Sequence, residues 1–155
     1  MNRDWESFQS RRDRTFPEYA TAVFEIFWPA GQSSLLGRDG LRSGIPPEQD
    51  LLIITAYNPG LQRPDSISNQ LQNQRLKEAL STAGLSFYEC VGRSPDGLHQ
   101  EPSFAVALEE VRGREQLAYV ASVAGRFEQS AIFLWNSRLR KGQTIWLAEP
   151  SGDSP

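Results

Sequence analysis

Two groups of polar residues in this sequence have the types and spacing to do chemistry once a sheet folds them together. The first is Tyr57 and Asn58, at the end of the apolar run LLIITA over 51–56, followed after a Pro- and Gly-containing stretch by Asn69, Asn73 and Arg75. Amides, a phenol and a guanidinium gathered at a strand end would suit a small polar or phosphorylated ligand. Free backbone N–H groups at the start of a following helix would favour an anion there. A plainer reading also holds: Asn58-Pro59 makes a turn, and the two amides hydrogen-bond loop backbone.

The second group is Arg93, Asp96, His99, Glu101 and Ser103, all within one connection. Glu101 or Asp96 can act as a general base with His99 as partner, and Arg93 can hold an anionic group through two parallel N–H donors. Against this stands a turn, Ser94-Pro95-Asp96-Gly97, and a cross-strand ion pair of Arg93 with Glu101. Gln129 closes the set, as a ligand contact or as a hydrogen bond to its own loop. Whether any of these residues catalyses a reaction is left open by their types alone.

The elements that must position these groups follow from periodicity. The run over 51–57 has no polar alternation, which marks a strand buried on both faces. A helix over 66–83, capped by Ser66 or Ser68 and stopped by Gly84, would place Asn69, Asn73, Leu76, Leu80 and Ala83 on one face at about 100° per residue. Strands follow over 85–91 and 101–108, then a helix over 112–127 with Leu117, Val120, Ala121, Ala124 and Phe127 inward, then strands over 131–135 and 143–147. Ahead of these, 19–28 is rich in β formers and predicts a first strand. The stretch 30–50 holds Gly31, Gly37, Gly40, Gly44, Pro46 and Pro47 and predicts a long loop, mobile or lid-like.

The order β-β-α-β-β-α-β-β contains βαββαβ, the arrangement of the ferredoxin-like split motif. The expectation is a single α+β domain over 19–148: a mixed sheet, two helices on one face, and an extra strand at each end of the core. Residues 1–18 would form an N-terminal arm, whose Trp5 and Phe8 can dock if it becomes helical, and 149–155 a disordered tail.

Composition narrows the classes. The chain has 155 residues, 39% hydrophobic and 23% charged, with a formal charge of -3 and a pI near 5.2. That size suits one core. The acidic balance disfavours nucleic acid as a partner. One cysteine, Cys90, and one histidine cannot build a Cys/His zinc centre, so no metal and no cofactor is expected. No apolar run nears the roughly 20 residues that span a bilayer, and the first residues lack a secretory apolar core, so the expectation is a cytoplasmic protein.

Four pieces, ITAYNP at 54–59, Asn73-x-Arg75, Glu101-Pro102-Ser103, and Phe-x-Gln-x-Ala-Ile at 127–132, together make the chain resemble the bacterial domain-of-unknown-function 3293 family. The pattern usual there is Phe-Gly-Gln-Asn-Ala-Ile, so Glu128 and Ser130 stand here where Gly and Asn are usual. The resemblance implies kinship without a mechanism, since the family has no established activity. Two functions remain in view. One is a site for a small polar or anionic ligand built from Tyr57, Asn58, Asn73, Arg75, Arg93, Ser103 and Gln129, near Glu101. The other is a non-enzymatic module, a homodimer or a protein partner meeting a sheet face that the helices leave open and that carries Trp28 and Trp135.

Overall fold

The computed structural model describes residues 3–57 and 65–147. Helix α1 (Arg3–Thr15) and the single turn α2 (Glu18–Thr21) lead into strands β1 (Val23–Phe27), β2 (Ser33–Gly37), β3 (Gly40–Gly44) and β4 (Leu51–Ile54). Helix α3 (Ser66–Thr82), strands β5 (Phe87–Arg93) and β6 (Gln100–Ala107), helix α4 (Gly113–Arg126), and strands β7 (Ala131–Asn136) and β8 (Lys141–Trp146) complete the described elements. The eight strands form one sheet in the order β3-β2-β1-β5-β6-β4-β7-β8.

The protein is an α+β domain, but its sheet is antiparallel throughout rather than mixed. The reason lies in β6, which sits between β4 and β5 and runs against both. The two strands joined by the α3 crossover therefore never meet as a parallel pair. Instead of one extra strand at each end of the βαββαβ segment, three precede it and one follows, and four helices are described rather than two.

Two corrections concern the first 50 residues. Residues 19–28 do not form one strand, because Glu18–Thr21 is helical and β1 starts at Val23. The expected 30–50 loop holds the β2–β3 hairpin. Its alternation was hidden because β2 shows only two adjacent leucines, Leu35 and Leu36, and β3 is bulged by the extra residue Arg42 between Leu41 and Ser43. Leu36 is fully buried and Leu35 only partly.

Buried on both sides, β4 explains the unbroken run Leu-Leu-Ile-Ile. Leu52 and Ile54 face α3 and α4, where they join Leu76, Leu80, Phe104, Val106, Val120 and Val123. Leu51 and Ile53 face away from the helices and pack with Ile26, Leu36, Cys90, Phe133 and Trp135. That second face was expected to lie open. It does not, because the sheet curls on itself: Phe24 of β1 meets Phe133 of β7 with ring centroids 4.5 Å apart, although three strands separate them in the sheet. The curl brings β8 back to the β2–β3 turn, where the Gly142 N–H donates to the Arg38 carbonyl at 3.0 Å. Trp135 is fully buried.

Both long crossover helices end alike. In each, the residue after the C-cap is left-handed, Gly84 at φ 76 and Glu128 at φ 57. Leu85 N–H donates to Leu80 and Gly84 N–H to Ser81, while Gln129 N–H donates to Ala124 and Glu128 N–H to Gly125. This is the paired-bond helix stop that glycine makes without strain.

Candidate functional site

The β4 ladder stops at Ile54, and the backbone that continues it is held by two side chains, Asn73 of α3 and Gln129 after α4, and by the Pro102 carbonyl of β6. Asn73 sits on the inward face of α3 with 7% of its surface exposed. Its Oδ1 accepts the Ala56 N–H at 2.9 Å, and its Nδ2 donates to the Pro102 carbonyl of β6 at 3.2 Å. The Pro102 carbonyl also accepts the Thr55 hydroxyl at 2.8 Å, and Thr55 Oγ1 in turn accepts the Tyr57 N–H at 3.1 Å. From the end of α4, Gln129 donates its amide to the Tyr57 carbonyl at 3.1 Å and to that of Phe127 at 3.4 Å. A buried amide without partners is costly, and Asn73 spends both its ends on backbone, the Ala56 N–H beyond the end of β4 and the Pro102 carbonyl of β6 that β4 no longer reaches. The plainer reading of Asn73 and Gln129, loop support, is thus met geometrically at the place where a ligand site was expected.

Other candidates fall elsewhere. Arg75 follows Asn73 by two residues, about 200° around the helix, and is exposed on the opposite side. Asn58 lies outside the described residues. Arg93 and Glu101 sit on opposite faces of the sheet, so they form neither a joint ligand clamp nor a cross-strand pair. In register, Arg93 lies opposite Gln100 and Glu101 opposite Gly92. Because side chains alternate, Glu101 and Ser103 share the face of Ala105, while Arg93 points to the helix side. The partner of Arg93 is Glu25 of β1, with Nη2 to Oε1 at 2.6 Å and both side chains partly exposed. Ser103 is buried, and its hydroxyl donates to the Glu101 carbonyl.

Asp96 and His99 are exposed in the β5–β6 hairpin turn. The Ser94 hydroxyl at 2.6 Å and the Leu98 N–H at 3.0 Å both donate to Asp96 Oδ1 and hold its carboxyl below the usual carboxylate range. Ser94 Oγ accepts the His99 N–H. A carboxylate so engaged, and kept ionised by its turn, is a poor general base.

Several features of this region were not foreseen. Asp65, not Ser66 or Ser68, caps α3, accepting the Ser68 N–H at 2.7 Å. The signal was present, an Asp after Pro64 and three residues before Ser68. Its carboxylate already answers the helix dipole, which counts against an anion at that end. The anchoring roles of Thr55 and the Pro102 carbonyl had no sequence signal. Among the described residues no group of three His, Cys, Asp or Glu is placed to hold a metal ion, and no described helix is long and apolar enough to cross a membrane. Cys90 is buried, and burial, then Glu25 and Glu89, pushes its thiol up.

What fold and site define is an α+β domain whose curled antiparallel sheet gathers four separate sequence stretches at the end of its central strand. All four lie within residues 54–132, just over half of the chain, which match the family described as protein of unknown function (DUF3293). The chain belongs to that family. Comparison with curated proteins and with solved structures gives no match.

Proposed function

We propose that this protein binds a small polar ligand at the C-terminal end of β4, with Tyr57, Asn58 and Gln129 as its contacts. The observation that carries the reading is the convergence of the 55–57, Asn73, Pro102 and Gln129 positions in one hydrogen-bonded cluster. Such a cluster supports the backbone on either side of Tyr57 and so fixes how that residue is presented. The Tyr57 phenol makes no hydrogen bond among the described residues, and Gln129 Oε1 likewise has no partner there, which leaves a donor and acceptors for a ligand. Asp65 at the α3 start supports a neutral or cationic ligand over an anionic one. Arg75, Arg93 and Ser103 stand outside this contact set. We also read the β4–β7 segment as a ferredoxin-like unit, a reading supported by the position of β6 between β4 and β5.

The test is a thermal-shift screen with nucleosides, sugars, amino acids and their phosphorylated forms, run on wild type and Tyr57→Phe. Binding to the native state raises the melting temperature by mass action. A compound that stabilises wild type and loses most of that effect in Tyr57→Phe is the expected result. A hit that stabilises both proteins equally places the ligand elsewhere and sinks the reading.

A further inference from the structure

The free edge of β8 is covered by a helix instead of a strand. Gln9 of α1 donates its Nε2 to the Trp146 carbonyl and accepts the Trp146 N–H on Oε1, each at 2.8 Å. One side-chain amide thus makes the two bonds that a neighbouring strand residue would make. One turn along, Asp13 accepts the Trp146 indole N–H at 2.7 Å and pairs with Arg38, Oδ2 to Nη2 at 3.2 Å. Arg38 also donates to Thr144 Oγ1 at 3.4 Å, so α1 lies across the seam where the curled sheet almost closes.

The attachment is mostly polar and shallow; its apolar part is Phe16, whose N–H still bonds to Arg12 of α1 and whose ring meets Trp146 with centroids 5.6 Å apart. None of the residues from Asp4 to Thr15 is buried, and both members of the Asp13–Arg38 pair are about a third exposed. A 13-residue helix is marginal without tertiary support. By contrast, the Tyr19 ring of α2 lies tilted against Trp146, centroids 4.6 Å apart, from beyond Pro17, so that contact stays with the body if α1 and Phe16 leave.

We infer that α1 is a detachable strap: it opens as a unit about Pro17 while the sheet stays folded, exposing the β8 edge at Trp146 and freeing Arg38 at the seam. The open form carries an unpaired strand edge beside a guanidinium and an indole N–H that have both lost a carboxylate. The closed form gives all three a partner on α1. Such a strap is a switch built from a few half-exposed hydrogen bonds, drawn from the low-stability end of the fold. It is independent of the ligand site proposed at β4.

Native-state hydrogen exchange on the full chain tests it. The Trp146 amide should exchange in step with the α1 amides and at least 100-fold faster than the amides of Leu52 and Val106 in the central ladder. The Gln9→Ala/Asp13→Asn variant should speed Trp146 at least tenfold further and leave Leu52 and Val106 unchanged. Exchange of Trp146 at the Leu52 rate in wild type overturns the inference without any variant. So does a variant in which all of these amides accelerate together, because α1 would then be part of the global cooperative unit.

Discussion

Replacing Glu128 by glycine should stabilise the protein, although it deletes a whole side chain. Glu128 holds φ 57 at the end of α4, a conformation that costs an L-residue roughly 1–2 kcal/mol. Glycine adopts it freely but gives back about 0.5–1 kcal/mol through the entropy of a more flexible unfolded chain. The Glu128 side chain is exposed and makes no ion pair or hydrogen bond among the described residues, so its loss removes nothing else. The net expectation is a gain of about 0.5–1 kcal/mol, or about 1–4 °C in melting temperature for a chain of this size. Gly84 supplies the reverse experiment, since it ends α3 at φ 76 with no atom within 4 Å of where a Cβ would go. Gly84→Ala should therefore cost about 1 kcal/mol through backbone strain alone. Urea unfolding reads both changes as shifts in midpoint at constant slope. If Glu128→Gly is neutral or destabilising while Gly84→Ala costs nothing, the left-handed helix stops are not as described.

Further outcomes follow from other sites. Asn73→Ala strands the buried Ala56 N–H and should destabilise by about 2–3 kcal/mol in urea unfolding; a loss under 0.5 kcal/mol would refute its anchoring role. Cys90 should be inert to thiol reagents in the native state and react only on unfolding. Because burial raises its thiol in the folded form, the unfolded chain loses that proton first. Stability should therefore fall as pH climbs past the ordinary thiol value of 9.0, and Cys90→Ala should flatten that part of the pH curve. A methyl group on Gly142 would overlap the Phe133 ring, so Gly142→Ala should cost about 1–3 kcal/mol by calorimetry.

What could be read from the sequence was mostly what local periodicity encodes. The all-apolar β4 run and the inward stripe of Asn69, Asn73, Leu76, Leu80 and Ala83 follow from one strand and one helix considered alone; the first four helix residues are buried, whereas Ala83 is the C-cap and exposed. The β2–β3 hairpin was hidden because its bulge breaks the period and β3 offers a single apolar residue, Leu41. The partner of Arg93 was misassigned for a different reason. Pairing it with Glu101 looks natural across a hairpin, but a one-residue step in register puts the two on opposite faces, and Glu25 arrives through a β1–β5 pairing that no local pattern announces. Likewise the curl that fills the supposedly open face is a property of the whole sheet, and Gln9 and Asp13 look like ordinary helix-surface residues until β8 lies beneath them. At the candidate site, the helix spacing turned Asn73 towards the end of β4, where its side chain is found. Spacing could not show that Asn73 is spent on backbone, because that depends on where the β4 ladder stops.

The central claim, that the end of β4 is a ligand site, is tested most directly by amide chemical-shift mapping during titration with the strongest compound from the thermal-shift screen. The account predicts saturable shifts confined to Ala56, Tyr57, Asn58, the Asn73 and Gln129 side-chain amides and the Ser103 backbone amide, which shares its peptide group with the Pro102 carbonyl of the cluster, with Tyr57→Phe weakening the binding at least tenfold. Shifts centred elsewhere, on the α1 seam or the 94–99 turn, with Tyr57→Phe binding as wild type does, would contradict it.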